Sequence, residues 1–175
     1  MDVAVITNEY PPYNNKGGVA TFTGMLARLV ANGGHRVFVF TDTRHILSRP
    51  TTKNGITIIP FVKISDVRFI RIFVPLIPRK VITSLLLKYF PTTSCLIYYN
   101  LVALFTLFSY RKRYAIRIVH APVSFAIGYL ISLMYPRVHH ITHAQGPDEL
   151  LQPYDRITID SRLKVWIETR YMNNR

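Results

Sequence analysis

Paired glycine, histidine and glutamate are the residues whose types and spacing suit chemistry in this 175-residue chain. Gly17-Gly18 follows a loop in which five of the seven positions from Pro11 to Gly17 are Pro, Gly or Asn. The pair then opens an apolar run at helical spacing. A helix N-terminus presents unpaired N–H groups and a partial positive charge, and glycine lets a phosphate approach that backbone closely. The same pair also serves as a tight opening to a helix, and spacing alone leaves both readings open. Glu9 and Tyr10 lie in the loop. His120 and His143 fall at the ends of apolar segments, where an imidazole can exchange a proton or simply hold a structural hydrogen bond.

Other phosphate loops fail on spacing. No G-x-x-x-x-G-K-[ST] string occurs. A dinucleotide G-x-G-x-x-G should follow the first strand directly, but a long loop intervenes here and Thr21 occupies the third glycine position. Asp42, ending the second apolar segment, stands where a ribose-binding acid would sit, and it alone keeps a dinucleotide reading open. His139, His140 and His143 form the one histidine cluster. Strand alternation turns His140 away from the other two, and Asp148 is the nearest carboxylate, so no metal is expected.

The elements that must position these residues read as follows. Asp2–Thr7 is a short buried strand. Val19, Phe22, Leu26, Leu29 and Val30 recur at three- and four-residue steps and predict the buried face of a helix, which Gly33-Gly34 ends. His35–Asp42 is the next strand, completing a βαβ unit whose right-handed crossover implies a parallel sheet. Gly55–Phe61 predicts a third strand, residues 68–78 an irregular segment, and residues 79–90 a helix with a basic start. Cys95–Tyr110 predicts a buried or interfacial helix; it is shorter than a bilayer span and contains Asn100. Ala115–Ala121 and Val138–Ala144 predict two further strands around a helix from Val123 to Tyr135, and a last helix covers Ser161–Asn174. The alternation is that of a doubly wound α/β domain, a Rossmann-like parallel sheet flanked by helices.

Charge narrows the partners. Lys and Arg number 22 against 9 Asp and Glu, a net charge of +13. No carboxylate lies between Asp66 and Asp148, a stretch holding Arg79, Lys80, Arg111, Lys112 and Arg113. A carboxylate pair for acid–base work cannot be built there, whereas an anionic partner is favoured. Nucleic acid is not expected, since no zinc-finger, RRM or basic-zipper string is present. Basic residues interleaved with apolar ones, as in "RFIRIF" and "LFSYRKRY", suit an anionic membrane surface, with a merely solvated face as the alternative. One cysteine, Cys95, and no secretory signal fit a cytoplasmic protein, peripheral on the membrane.

Residues 6 to 41, "ITNEYPPYNNKGGVATFTGMLARLVANGGHRVFVFT", resemble the N-terminal segment of the GT-B family-4 glycosyltransferases. Pro11-Pro12, Gly17-Gly18-Val19 and Gly34-His35-Arg36-Val37 match that family's features in order, and "RIVHAPVSFAIGYL" and "HITHAQGPD" resemble its later strand-end histidine segments. The resemblance, covering Met1 to about Asp148, implies the acceptor-side half of a two-domain enzyme. That enzyme would move a sugar from a nucleotide-sugar to a hydroxyl acceptor, which is lipid-linked in the family's membrane-associated members. It implies that Gly17 and Gly18 face the donor diphosphate, that Glu9, Tyr10 and His143 bind substrate, and that His120 is catalytic. No metal or other cofactor is implied.

Two departures qualify these expectations. Where the family often carries His-x-His, this chain has His120-Ala121-Pro122. The family's glutamate pair belongs to a C-terminal donor domain, so residues 1–175 are expected to form a single domain, incomplete at its end, and weak or inactive without a separate donor domain. The alternative is a non-catalytic binding module for a membrane surface or protein partner.

Overall fold

The computed structural model describes residues 1–13, 18–43, 49–61, 91–111, 113–122 and 126–143, together with 163, 166, 167, 169 and 170. Among the described residues six strands form one sheet: β1 (Asp2–Thr7), β2 (Arg36–Thr41), β3 (Thr51–Lys53), β4 (Ile56–Pro60), β5 (Ile116–Pro122) and β6 (His139–His143). Their order across the sheet is β3-β4-β2-β1-β5-β6. All pairings are parallel except β3 with β4. Among the described residues they are accompanied by the helices α1 (Gly18–Asn32), α2 (Pro91–Arg111) and α3 (Tyr129–Met134). The α/β class expected from the alternation of elements is the observed one.

Both faces of the sheet are covered, which is why the central strands read as unbroken apolar runs. On one face Val5, Val37, Val39, Ile56 and Ile58 pack with Ala27 of α1. On the other, Ala4, Ile6, Phe38, Phe40, Ile59, Val119 and Ala121 pack with Ala103, Leu104 and Leu107 of α2 and Ile131 of α3. The polar atom inside the apolar α2 has a specific task. Asn100 Nδ2 donates to the Leu96 carbonyl, and Asn100 Oδ1 accepts from the Leu130 N–H, joining α2 to α3. At the start of β1, buried Asp2 accepts two 2.7 Å hydrogen bonds from the Arg36 guanidinium on β2.

Several expectations are corrected. The buried face of α1 consists of Ala20, Thr23, Gly24 and Ala27, whereas Phe22 and Leu29 are exposed by 37% and 67%. Small residues let the helix backbone lie close to the chain beneath it: a Cβ added at Gly24 would meet Pro11 Cγ at 3.3 Å. The larger side chains are thereby turned outward. Strand β3 was not expected; it pairs with β4 through Asn54 and Gly55, both at positive φ, as a tight hairpin turn requires. The helix expected from Val123 begins only at Tyr129, after Ala126 at φ 43. Conversely α2 starts at Pro91, ahead of the expected Cys95, because proline suits a first helical turn. The tail is helical at its described positions. The expectations for residues 68–78 and 79–90 lie outside the described residues.

Candidate functional site

Strand register brings the candidate residues to the carboxyl edge of the sheet, where open α/β sheets bind ligands. Thr7 of β1 is level with Thr41 of β2. His120 of β5 is level with Ile141, and Pro122 with His143, of β6. His120 and His143 therefore point to the same face of the sheet, the face that α1 covers. Their ring centroids are 6.2 Å apart. Phe22 of α1 stacks on His143 at 3.9 Å and stands 6.1 Å from His120. The outward turn of α1 that left Phe22 out of the core thus delivers it to the two strand-end histidines.

His120 is 6% exposed, and its Nδ1, like that of His143, has no hydrogen-bond partner among the described residues. Burial first, and the neighbouring His143 second, lower the His120 pKa from 6.5 to about 4. Near neutral pH it is an uncharged imidazole, able to accept or donate one hydrogen bond but not to balance a diphosphate by charge. A general base with so low a pKa is a weak one, so the arrangement favours recognition of a neutral hydroxyl over proton abstraction.

The loop before α1 is tied down at its root. Thr7 Oγ1 lies 3.1 Å from the Glu9 N–H and 3.0 Å from the Glu9 carbonyl, and so fixes the turn leaving β1. Thr23 of α1 has its hydroxyl 3.2 Å from the same carbonyl, although its nearest acceptor is the Val19 carbonyl at 2.7 Å. Glu9 itself is half-buried. Gly18 begins α1 and is exposed, and a Cβ built on it would meet nothing within 4 Å. The space beside the helix N-terminus is open, and no packing demand within the described residues requires glycine there.

The structure separates the remaining candidates. Tyr10 was expected beside substrate, yet it is 5% exposed and packs with Val5, Ala27, Val37 and Val39 under α1. Burial raises its pKa, with the charge of Arg28 opposing. Its ring contributes packing under α1. His139 is exposed, and His140 turns its Nε2 to within 3.3 Å of the Tyr135 carbonyl. Among the described residues no group of three or more His, Cys, Asp or Glu could hold a metal ion. Arg113 is exposed and Arg111 closes α2. Gly17, Arg79, Lys80 and Lys112 lie outside the described residues.

Phe22, Thr7 and Thr23 were missed from the sequence. Phe22 fits helical spacing and reads as core, and no periodicity shows that it meets histidines about a hundred residues further along the chain. The two threonines carry no motif.

No family model matches the chain, and a search of curated proteins finds no match. In structure the chain is similar to sucrose-phosphate synthase from Thermosynechococcus elongatus, a GT-B glycosyltransferase, with a TM-score of 0.64 and 14% sequence identity. The similarity covers 99% of this chain and 40% of that one. At that identity it carries the fold: a glycosyltransferase-like α/β architecture with a mostly parallel six-stranded sheet.

Proposed function

We propose that the chain is the acceptor-side Rossmann-like domain of a family-4 glycosyltransferase, transferring a sugar from a nucleotide-sugar to a hydroxyl acceptor. The observation carrying this reading is the meeting of His120, His143 and Phe22 at the carboxyl edge of a glycosyltransferase-like sheet. The open N-terminus of α1 at Gly18 supports it from the other side.

On this reading the exposed N–H groups at Gly18, with Gly17 preceding it, face the donor diphosphate. The uncharged His120 and its neighbour His143 hydrogen-bond a sugar or acceptor hydroxyl, and Phe22 supplies an apolar face beside them. Glu9 holds its backbone position through Thr7 and Thr23 and borders the same space. The transfer needs no resident metal or cofactor, since backbone dipoles and basic side chains can stabilise a leaving diphosphate. A donor domain in the same or a separate chain would complete the site. The enzyme would work in the cytoplasm, with a lipid-linked acceptor placing it at a membrane face.

A titration of UDP- and GDP-sugars followed through the imidazole resonances of His120 and His143 tests the reading. Saturable shifts of both rings with one donor are expected. Saturable shifts confined to exposed His139 would overturn it.

A further inference from the structure

Helix α2 is apolar on nearly all sides, although only one side is in the core. Leu96, Asn100, Ala103, Leu104 and Leu107 face inward. At 100° per residue, Ile97, Tyr98, Leu101, Phe105 and Phe108 occupy an opposite arc. Ile97, Tyr98 and Phe108 are exposed by 49%, 46% and 50%, and Leu101 and Phe105 are half-buried. The window Thr93–Tyr110 has a mean hydropathy of 1.3, sufficient for a membrane segment by length and composition, yet 39% of it is buried in the fold. Packing against the sheet and the Asn100 bridge to α3 hold this helix on the domain.

We propose that the outer face of α2 docks on an anionic lipid bilayer, with the helix lying along the surface. An outward apolar face on a helix that stays on its domain suits shallow insertion at the headgroup boundary. Charge selects the occupant. Arg111, Lys112 and Arg113 follow in sequence at the end of α2 and Arg113 is exposed; no carboxylate lies between Asp66 and Asp148 in the sequence, and Asp42, whose charge acts on Tyr98, is the acid facing the other end of the helix. Tyr98 carries an apolar ring with a polar tip, as suits the same boundary. This docking does not depend on the glycosyltransferase reading, so either can fail without the other.

The sole cysteine offers a direct probe. Cys95 is exposed near the start of α2, and an environment-sensitive fluorophore placed on it reports insertion in the full chain. The expected result is a blue shift with vesicles of phosphatidylcholine and phosphatidylglycerol, absent with phosphatidylcholine alone and reduced by salt. Substituting Ile97→Ser with Phe108→Ser should weaken vesicle binding by about tenfold or more. Arg113→Glu, which leaves the apolar face intact, should weaken it as well. A shift that needs no vesicles and grows with protein concentration would indicate a second copy of the chain and overturn the proposal. So would equal binding to neutral vesicles, or binding that both variants retain.

Discussion

Phe22 of α1 lies flat on the imidazole of His143 at the end of β6, with ring centroids 3.9 Å apart and planes 14° apart. The contact joins the first crossover helix to the edge strand of the described sheet, across the top of β5. It shelters His120, which would otherwise face the space at the carboxyl edge. Stacked rings contribute about 1 kcal/mol beyond the area they bury.

Removing the Phe22 ring should therefore change the histidines before it changes the fold. In Phe22→Ala, the His120 pKa should climb from about 4 toward 6.5 as water reaches the ring. A pH titration of the imidazole resonances measures this. The accompanying loss of stability should be about 2 kcal/mol, the stacking contribution together with the apolar area lost.

Acid should weaken the fold through His120. Its folded pKa of about 4 lies below the ordinary 6.5, so between those values the unfolded chain binds a proton that the folded chain does not. Stability rises with pH across that window, and His120's contribution is lost as pH falls through it. The residue should account for about 3 kcal/mol between neutrality and pH 4. Urea midpoints should show a shallower pH dependence in His120→Asn than in the parent.

Glycines 18 and 55 should answer substitution differently. Gly55 has φ +76, where a side chain is strained, whereas an added Cβ at Gly18 meets open space. Gly55→Ala should cost about 1 kcal/mol, and Gly18→Ala less than about 0.5 kcal/mol. Thermal denaturation of the two variants checks this directly.

Two buried polar contacts set further expectations. Arg36→Leu leaves the Asp2 carboxylate without its guanidinium partner and should cost about 2 kcal/mol. Asn100→Leu, close in size, strips the Leu130 N–H of its acceptor and should cost a similar amount, about 2 kcal/mol. Because the sites share no contact, the double variant should show the sum, measured by urea unfolding.

The strands were legible where burial on both faces leaves continuous apolar runs, as in β1 and β2. The βαβ logic then dictated a parallel sheet. The turn at Asn54-Gly55 was also written in the sequence, but three short polar residues in β3 gave too little pattern to notice. The face of α1 was misread because apolar periodicity favours the largest side chains, while close packing selected Ala20, Thr23, Gly24 and Ala27. The same limit hid the site. His120 and His143 were visible as strand-end residues, but their approach depends on β5–β6 register, and Phe22 joins them through a helix orientation that spacing alone assigned to the core. Tyr10 shows the converse: its loop position carries no sign that its ring fills the space under α1.

On the proposed reading, a phosphate-bearing donor approaches the N-terminus of α1 beside the histidine pair. Calorimetric titration of UDP- and GDP-sugars into the parent chain, Gly18→Ala and Gly18→Trp tests it most directly. The account predicts saturable heat with one donor in the parent, weaker binding in Gly18→Ala, and none in Gly18→Trp with its fold intact by circular dichroism. No heat at about millimolar donor would say that this chain alone is half a site, whereas equal binding by Gly18→Trp would contradict the reading.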